Sequence, residues 1–200
     1  MGYRDVTASE SVEAASWIAP RLHPFGQDVG SVVPSAFAAY AGIDCESHGG
    51  RLTAGAADVL ARLLEAHTST PKLCWLCLWE GYGYLNQGAS TWLTAAEAPK
   101  RKPPSRFGIY IRRRSAPQDG RARVKLPHRD YLLYQGSVAE ATGWDDGPNL
   151  WWPDDRAWCV ASEIDLMTIY VGGTNELIDA IADRVEIGAV RVSPDDPLRR

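Results

Sequence analysis

Residues Leu73–Trp79 read LCWLCLW, a run with no charged residue and no amide side chain. A strand of that composition has no polar face to turn to water, so it belongs at the centre of a sheet. Before it, TSTP (68–71) breaks a helix carried by TAGAADVLARLLEAH. There Thr53 is placed as the N-cap, and Val59, Leu60, Leu63, Leu64 and His67 repeat with amphipathic spacing. Shorter helices are expected nearer the start: one through SVEAASWIA after Ser9, another entered at Pro34 with Phe37 and Tyr40 on one side. Strands are expected in FGIYIRRR and RVKL around the SAPQDG turn, then in YLLYQGSV and RAWCVASEID. In the last of these, Trp158, Val160, Ser162 and Ile164 share a face opposite Cys159, Ala161, Glu163 and Asp165. Thr174 caps a helix bearing Leu177, Ile178 and Ile181, and a short edge strand near Ala189–Val192 closes the order. Helices first, a strand-rich middle, one C-terminal helix and an edge strand together make an α+β fold with a mostly antiparallel central sheet.

Two hundred residues, 45% of them hydrophobic and eight of them Trp, suit one folded domain over 1–200. A Pro-rich basic stretch near 94–106 reads as an exposed, mobile loop within it. No apolar run is long enough to span a bilayer. The acidic, polar start MGYRDVTASESVEAASW lacks the basic and apolar parts of a signal peptide, which reads as a cytoplasmic chain without a membrane partner. Cys45, Cys74, Cys77 and Cys159 are then reduced thiols. Cys74 and Cys77 form a CxxC, but on a strand residues three apart point to opposite faces, which favours small core thiols over a zinc ligand pair or a redox dithiol.

The net charge of −4 hides a separation. Residues 100–129 carry eleven Lys/Arg against Asp119 alone, while residues 130–196 carry fourteen Asp/Glu against three Arg. Opposite blocks can pair across a sheet. A basic patch for nucleic acid would need interleaved aromatics, and only Phe107 and Tyr110 qualify. The four histidines, His23, His48, His67 and His128, form no metal-binding spacing, and neither a GxSxG elbow nor a Walker A loop occurs. Gly172-Gly173 ahead of a helix could present N–H groups to an anion, or serve as a plain helix start. No cofactor is expected.

The stretch Trp144–Asp165, WDDGPNLWWPDDRAWCVASEID, holds four tryptophans and six acids with a single base, Arg156. Trp75, Trp79 and Trp158 fall in strands and read as core. Trp144, Trp151 and Trp152 fall among Gly, Pro, Asn and Asp, a loop composition in which they serve either as a lid or as interface anchors. On the second reading Asp145, Asp146, Asp154 and Asp155 steer a basic protein partner. A rival reading takes Glu163 and Asp165, two apart on one strand face, as the paired carboxylates of a hydrolase acting on a polar or carbohydrate ligand, with Glu80, Asp154 and Asp155 within reach. That reading fails if they are bridged to arginines, with Arg112, Arg113 and Arg114 as the candidates. A third is an assembly role through an open sheet edge.

PNLWWPDDRAWCVASEIDLMTIYVGG, FGQDVGSVVPSAFAAYAGI and TPKLCWLCLWEGYG together resemble a family of uncharacterised actinobacterial proteins over most of the chain. That resemblance implies no activity. VVPSAFAAY is similar in type to the Leu-Pro-x-x-aromatic helix of the SUKH superfamily, α+β binding domains common among bacterial toxin-immunity proteins. It implies a binding domain of immunity type, one form of the non-enzymatic protein-binding domain that the lack of catalytic motifs and the loop tryptophans flanked by acids favour.

Overall fold

The computed structural model describes residues 6–24, 26–45, 51–81, 122–127, 129–142, 147–163 and 166–199. The basic stretch near 94–106 and the FGIYIRRR segment lie outside them. In chain order the elements are β1 (Thr7–Ala8), β2 (Ala39–Asp44), α1 (Ala54–Ala66), β3 (Cys74–Trp79), β4 (Val124–Lys125), β5 (Asp130–Gly136) and α2 (Val138–Thr142). They continue with β6 (Leu150–Pro153), β7 (Cys159–Ala161), β8 (Thr168–Gly173), α3 (Asn175–Ala182) and β9 (Ala189–Val192). This is the α+β class, built on one large antiparallel sheet.

The sheet runs β1-β5-β3-β6-β7-β8-β2-β9, with β4 also on β5. As its composition requires, β3 is interior, pairing β5 from Cys74↔Gly136 to Trp79↔Tyr131 and β6 from Cys74↔Pro153 to Cys77↔Leu150. The far side of β5 is shared end to end by β1 at Gln135 and Tyr134 and by β4 at Tyr131 and Asp130. At the opposite limit β9 pairs only β2 among the described residues, so it is an edge strand.

Both faces of the sheet are covered. Over one lie α1, α2 and α3. Thr53 caps α1 by accepting from the Ala56 amide at 3.2 Å, and Ala56, Leu60 and Leu64 make its buried stripe. Leu177, Ile178 and Ile181 do the same on α3, whose cap Thr174 accepts from the Leu177 amide. These side chains pack on Ala41, Ile43, Leu76, Trp151, Trp158, Val160 and Val171. Over the other face runs the N-terminal segment, in three short 3-10 turns (Glu13–Ala15, Ala19–Arg21 and Val29–Ser31). It lays Ala15, Trp17, Ile18, Val29 and Val33 on Tyr40, Cys77, Leu133, Leu150, Trp152, Cys159 and Tyr170.

Two expected helices differ. SVEAASWIA forms 3-10 turns, and the segment from Pro34 through Tyr40 is not helical; its end enters β2. Ala39, Ala41 and Ile43 meet the helices while Tyr40 meets the N-terminal segment, and Gly42 sits among the side chains of Tyr170, Thr168 and Val192. Small residues here admit close neighbours on both sides of a strand, and that packing outweighs the helix preference of alanine. All four cysteines are buried and free. Cys74 and Cys77 belong to opposite layers, as their spacing on a strand demands. Burial pushes the Cys74 thiol up to about 12, with Asp155, Glu65 and Glu140 adding to it, and burial raises Cys77 further, so neither is an activated nucleophile.

Candidate functional site

The chain leaves β6 at Pro153, turns through Asp154, Asp155, Arg156 and Ala157, and re-enters the sheet at Cys159. All four backbone amides of this turn and the side chains of both aspartates have fixed partners. The Asp154 amide donates to the Leu73 carbonyl at 3.0 Å, and the Arg156 amide to the Pro153 carbonyl at 2.8 Å. Asp154 Oδ1 accepts from the Trp75 indole at 2.8 Å. The Asp155 carboxylate accepts from the Thr68 hydroxyl (2.8 Å), the Ser69 hydroxyl (2.7 Å), the Ser69 amide (2.6 Å) and the Ala157 amide (3.1 Å). Partial desolvation pushes that carboxyl up, but the bonds from Ser69, Thr68 and Ala157 outweigh it and hold Asp155 below the usual carboxylate value. The β6–β7 turn is thereby tied to the loop that joins α1 to β3.

Arg156 stands out in this turn. It is exposed and is the only non-glycine residue with positive φ among the described residues, at 58°. A left-handed conformation costs an L-residue roughly 1–2 kcal/mol that glycine would not bear. Its guanidinium carbon lies 5.5 Å from the ring centroid of Trp17, and that of Arg21 lies 5.9 Å from the same ring. Arg21 Nη1 also donates to the Trp17 carbonyl at 2.9 Å. Trp17 is 6% exposed, and its indole N–H has no hydrogen-bond acceptor among the described residues.

The other end of the sheet gathers a second polar group. Arg129 Nε meets Glu163 Oε2 at 2.8 Å, and the Tyr131 hydroxyl donates to Glu163 Oε1 at 2.7 Å. The Arg129 guanidinium sits 4.7 Å over the Trp79 ring. Arg123 grips Glu80 with Nε at 2.9 Å and Nη2 at 3.3 Å. The four charged side chains are between 11% and 16% exposed. Burial, then the charge of Glu163 and its hydrogen bond, push the Tyr131 phenol far up, so it stays a proton donor. Asn149, 1% exposed, closes this end by accepting from the Trp79 amide and donating to the Ser162 carbonyl. Arg129–Glu163 joins the basic and acidic blocks of the sequence across the sheet.

Several sequence expectations are corrected here. Trp151 and Trp152 lie not in a loop but in β6, 4% and 0% exposed, so neither is a surface anchor. Asp154 and Asp155 are on the surface, where their oxygens also serve the turn itself. Glu163 lies past the end of β7 rather than on the strand and has both oxygens engaged, by Arg129 and Tyr131; the open, arginine-free setting of a catalytic pair is not found around it. Trp144, Asp145, Asp146 and Asp165, like Arg112–Arg114, lie outside the described residues. Sequence reasoning missed Trp17, Arg21, Trp75 and Arg156 as a group. The one available signal was Arg156 as the lone base among six acids. No helix among the described residues is long and apolar enough to cross a membrane. Comparison with protein-family models, curated proteins and solved structures finds no match to this chain.

Proposed function

We propose that this chain is a non-enzymatic domain that binds a protein partner through the β6–β7 turn and the Trp17 segment beside it. One observation carries the reading: an exposed arginine occupies a left-handed position that glycine would fill more cheaply, at the tip of a turn whose amides and aspartate side chains are pinned. Strain kept at an exposed, rigidly mounted residue points to use of its side chain. Arginine and tryptophan are also the residue types that dominate interface energetics, and a pinned turn loses little entropy on binding. The immunity role implied by the SUKH resemblance is one form of this reading, with a toxin as the partner. Arg156→Gly tests it. Glycine suits φ 58°, so the fold is retained, while retention of the partner from a cell lysate on immobilised protein falls by tenfold or more. Unchanged retention overturns the reading.

A second reading, assembly through the sheet edge, is favoured by β9, which leaves one side unpaired among the described residues and exposes Val190 to 41%. Light scattering after size exclusion tests it: assembly predicts an oligomer that Val190→Lys disperses.

A further inference from the structure

We infer that Arg21, Arg156 and Trp17 form a receptor for an oxyanion, and that its ligand is a carboxylate on an acidic segment of the partner. The inference rests on the proposed binding surface and names the chemistry of what it binds. Both guanidinium carbons lie within 6 Å of one indole centroid, so the two cations share one ring. Two cations on one ring leave a local positive charge that an anion neutralises. Neither arginine has a carboxylate partner among the described residues. The nearest acids along the turn are committed elsewhere, Asp154 to Trp75 and Asp155 to Thr68, Ser69 and Ala157.

The same ring carries the unpartnered buried indole N–H, a donor whose lost hydration nothing repays. Two guanidiniums over the ring and one orphan donor at its edge thus belong to one small patch, and none of the three has an anionic acceptor among the described residues. An oxyanion supplies it, because guanidinium binds carboxylate through paired N–H donors. Both arginine side chains are exposed, so an anion reaches them from solvent and binds beside the ring.

The experiment follows indole N–H resonances of the full chain by two-dimensional 1H–15N NMR, with the Trp17 signal assigned by its loss in Trp17→Phe. Hexaglutamate is the probe, with hexalysine and inorganic phosphate in parallel. A saturable shift of the Trp17 signal with hexaglutamate, absent with hexalysine and weakened at least tenfold in Arg21→Gln/Arg156→Gln, is the expected result. The spectrum of the double variant away from this site reports whether it is folded. Phosphate binding as tightly as hexaglutamate would overturn the carboxylate assignment, and no Trp17 response to either anion would overturn the receptor. Arg156→Gly separates the two ideas. Partner capture lost without any indole response leaves the binding surface standing and this inference refuted; an indole response with capture unchanged does the reverse.

Discussion

Adjacent residues on a strand point to opposite faces, and on β6 this sends Trp151 under the helices, 5.0 Å from Trp158, and Trp152 under the N-terminal segment, 5.9 Å from Trp17. Each anchors a different layer, so truncating either opens a cavity in a covered face. Trp152→Ala is expected to lower stability by about 3–5 kcal/mol, read from the urea midpoint. A change under about 1 kcal/mol would contradict the burial. Asp155 makes a second residue-scale prediction. Its carboxyl pKa is lower folded than unfolded, so its contribution is complete above the unfolded value and drains away as pH falls through the folded one. Asp155→Ala therefore destabilises at neutral pH, and its gap to wild type closes on acidification through and below the ordinary carboxylate range. Denaturation across a pH series checks the sign; a gap that widens in acid refutes it. Little of this was legible beforehand. Trp-Trp-Pro between Gly-Pro-Asn and Asp-Asp has loop composition, and a four-residue strand buried on both faces has no alternation to betray it. Arg156 was visible as a lone base, but its convergence with Arg21 on Trp17 joins residues far apart in the chain.

At the scale of elements, what could be read depended on how many faces an element buries. Helices α1 and α3 each bury one stripe and expose the rest, so their periodicity and their caps at Thr53 and Thr174 stand out in the sequence. The strand β3 was legible for the opposite reason, being apolar on both faces. By contrast β2, AYAGID, is small and Ala-rich, and its strand state follows from neighbours it does not encode locally: β8 on one side and β9 on the other. Gly172-Gly173 shows the same dependence. They are not an anion loop but the last residues of β8, squeezed from both faces. A Cβ on Gly172 would lie 2.5 Å from Phe37 of the N-terminal segment and 3.0 Å from Tyr40; one on Gly173 would lie 2.8 Å from Leu177 of α3. The pair sets how closely segment and helix approach the strand. Gly172→Ala should cost about 1–3 kcal/mol through displacement of the Phe37 ring. Restoring space with Gly172→Ala/Phe37→Leu should recover part of it; failure to recover any would show that the Phe37 contact is not what the glycine serves.

Over the whole molecule, the two covers of the sheet are held by different means. The helices sit on theirs through stripes of leucine and isoleucine. The N-terminal segment, with only short 3-10 turns of its own, is tied down by residues from the other end of the described chain. The Val29 amide donates to the Asp196 carbonyl at 2.9 Å, Gly30 to Pro194 at 2.8 Å, and Leu198 back to Gln27 at 2.6 Å, while Arg199 donates to the Tyr170 hydroxyl at 2.9 Å. That crossing of segments distant in sequence is why the layer escaped sequence reasoning, which works along windows. It also predicts an asymmetry. Deleting residues 194–200 removes the acceptors for Val29 and Gly30 and the Leu198 contact, at a cost of about 2–4 kcal/mol with each hydrogen bond worth roughly 1. The loss falls first on the N-terminal segment, because the broken bonds are its own and short 3-10 turns resist local opening less than longer helices do. Hydrogen exchange should therefore accelerate more at the Val32 and Val33 amides, which bond within that segment, than at Leu64 and Ile178 in the helices. Equal acceleration at all four would mean that the two layers unfold as one unit. The segment that opens first carries Trp17 and Arg21, so the deletion should also weaken the proposed receptor before the sheet itself gives way.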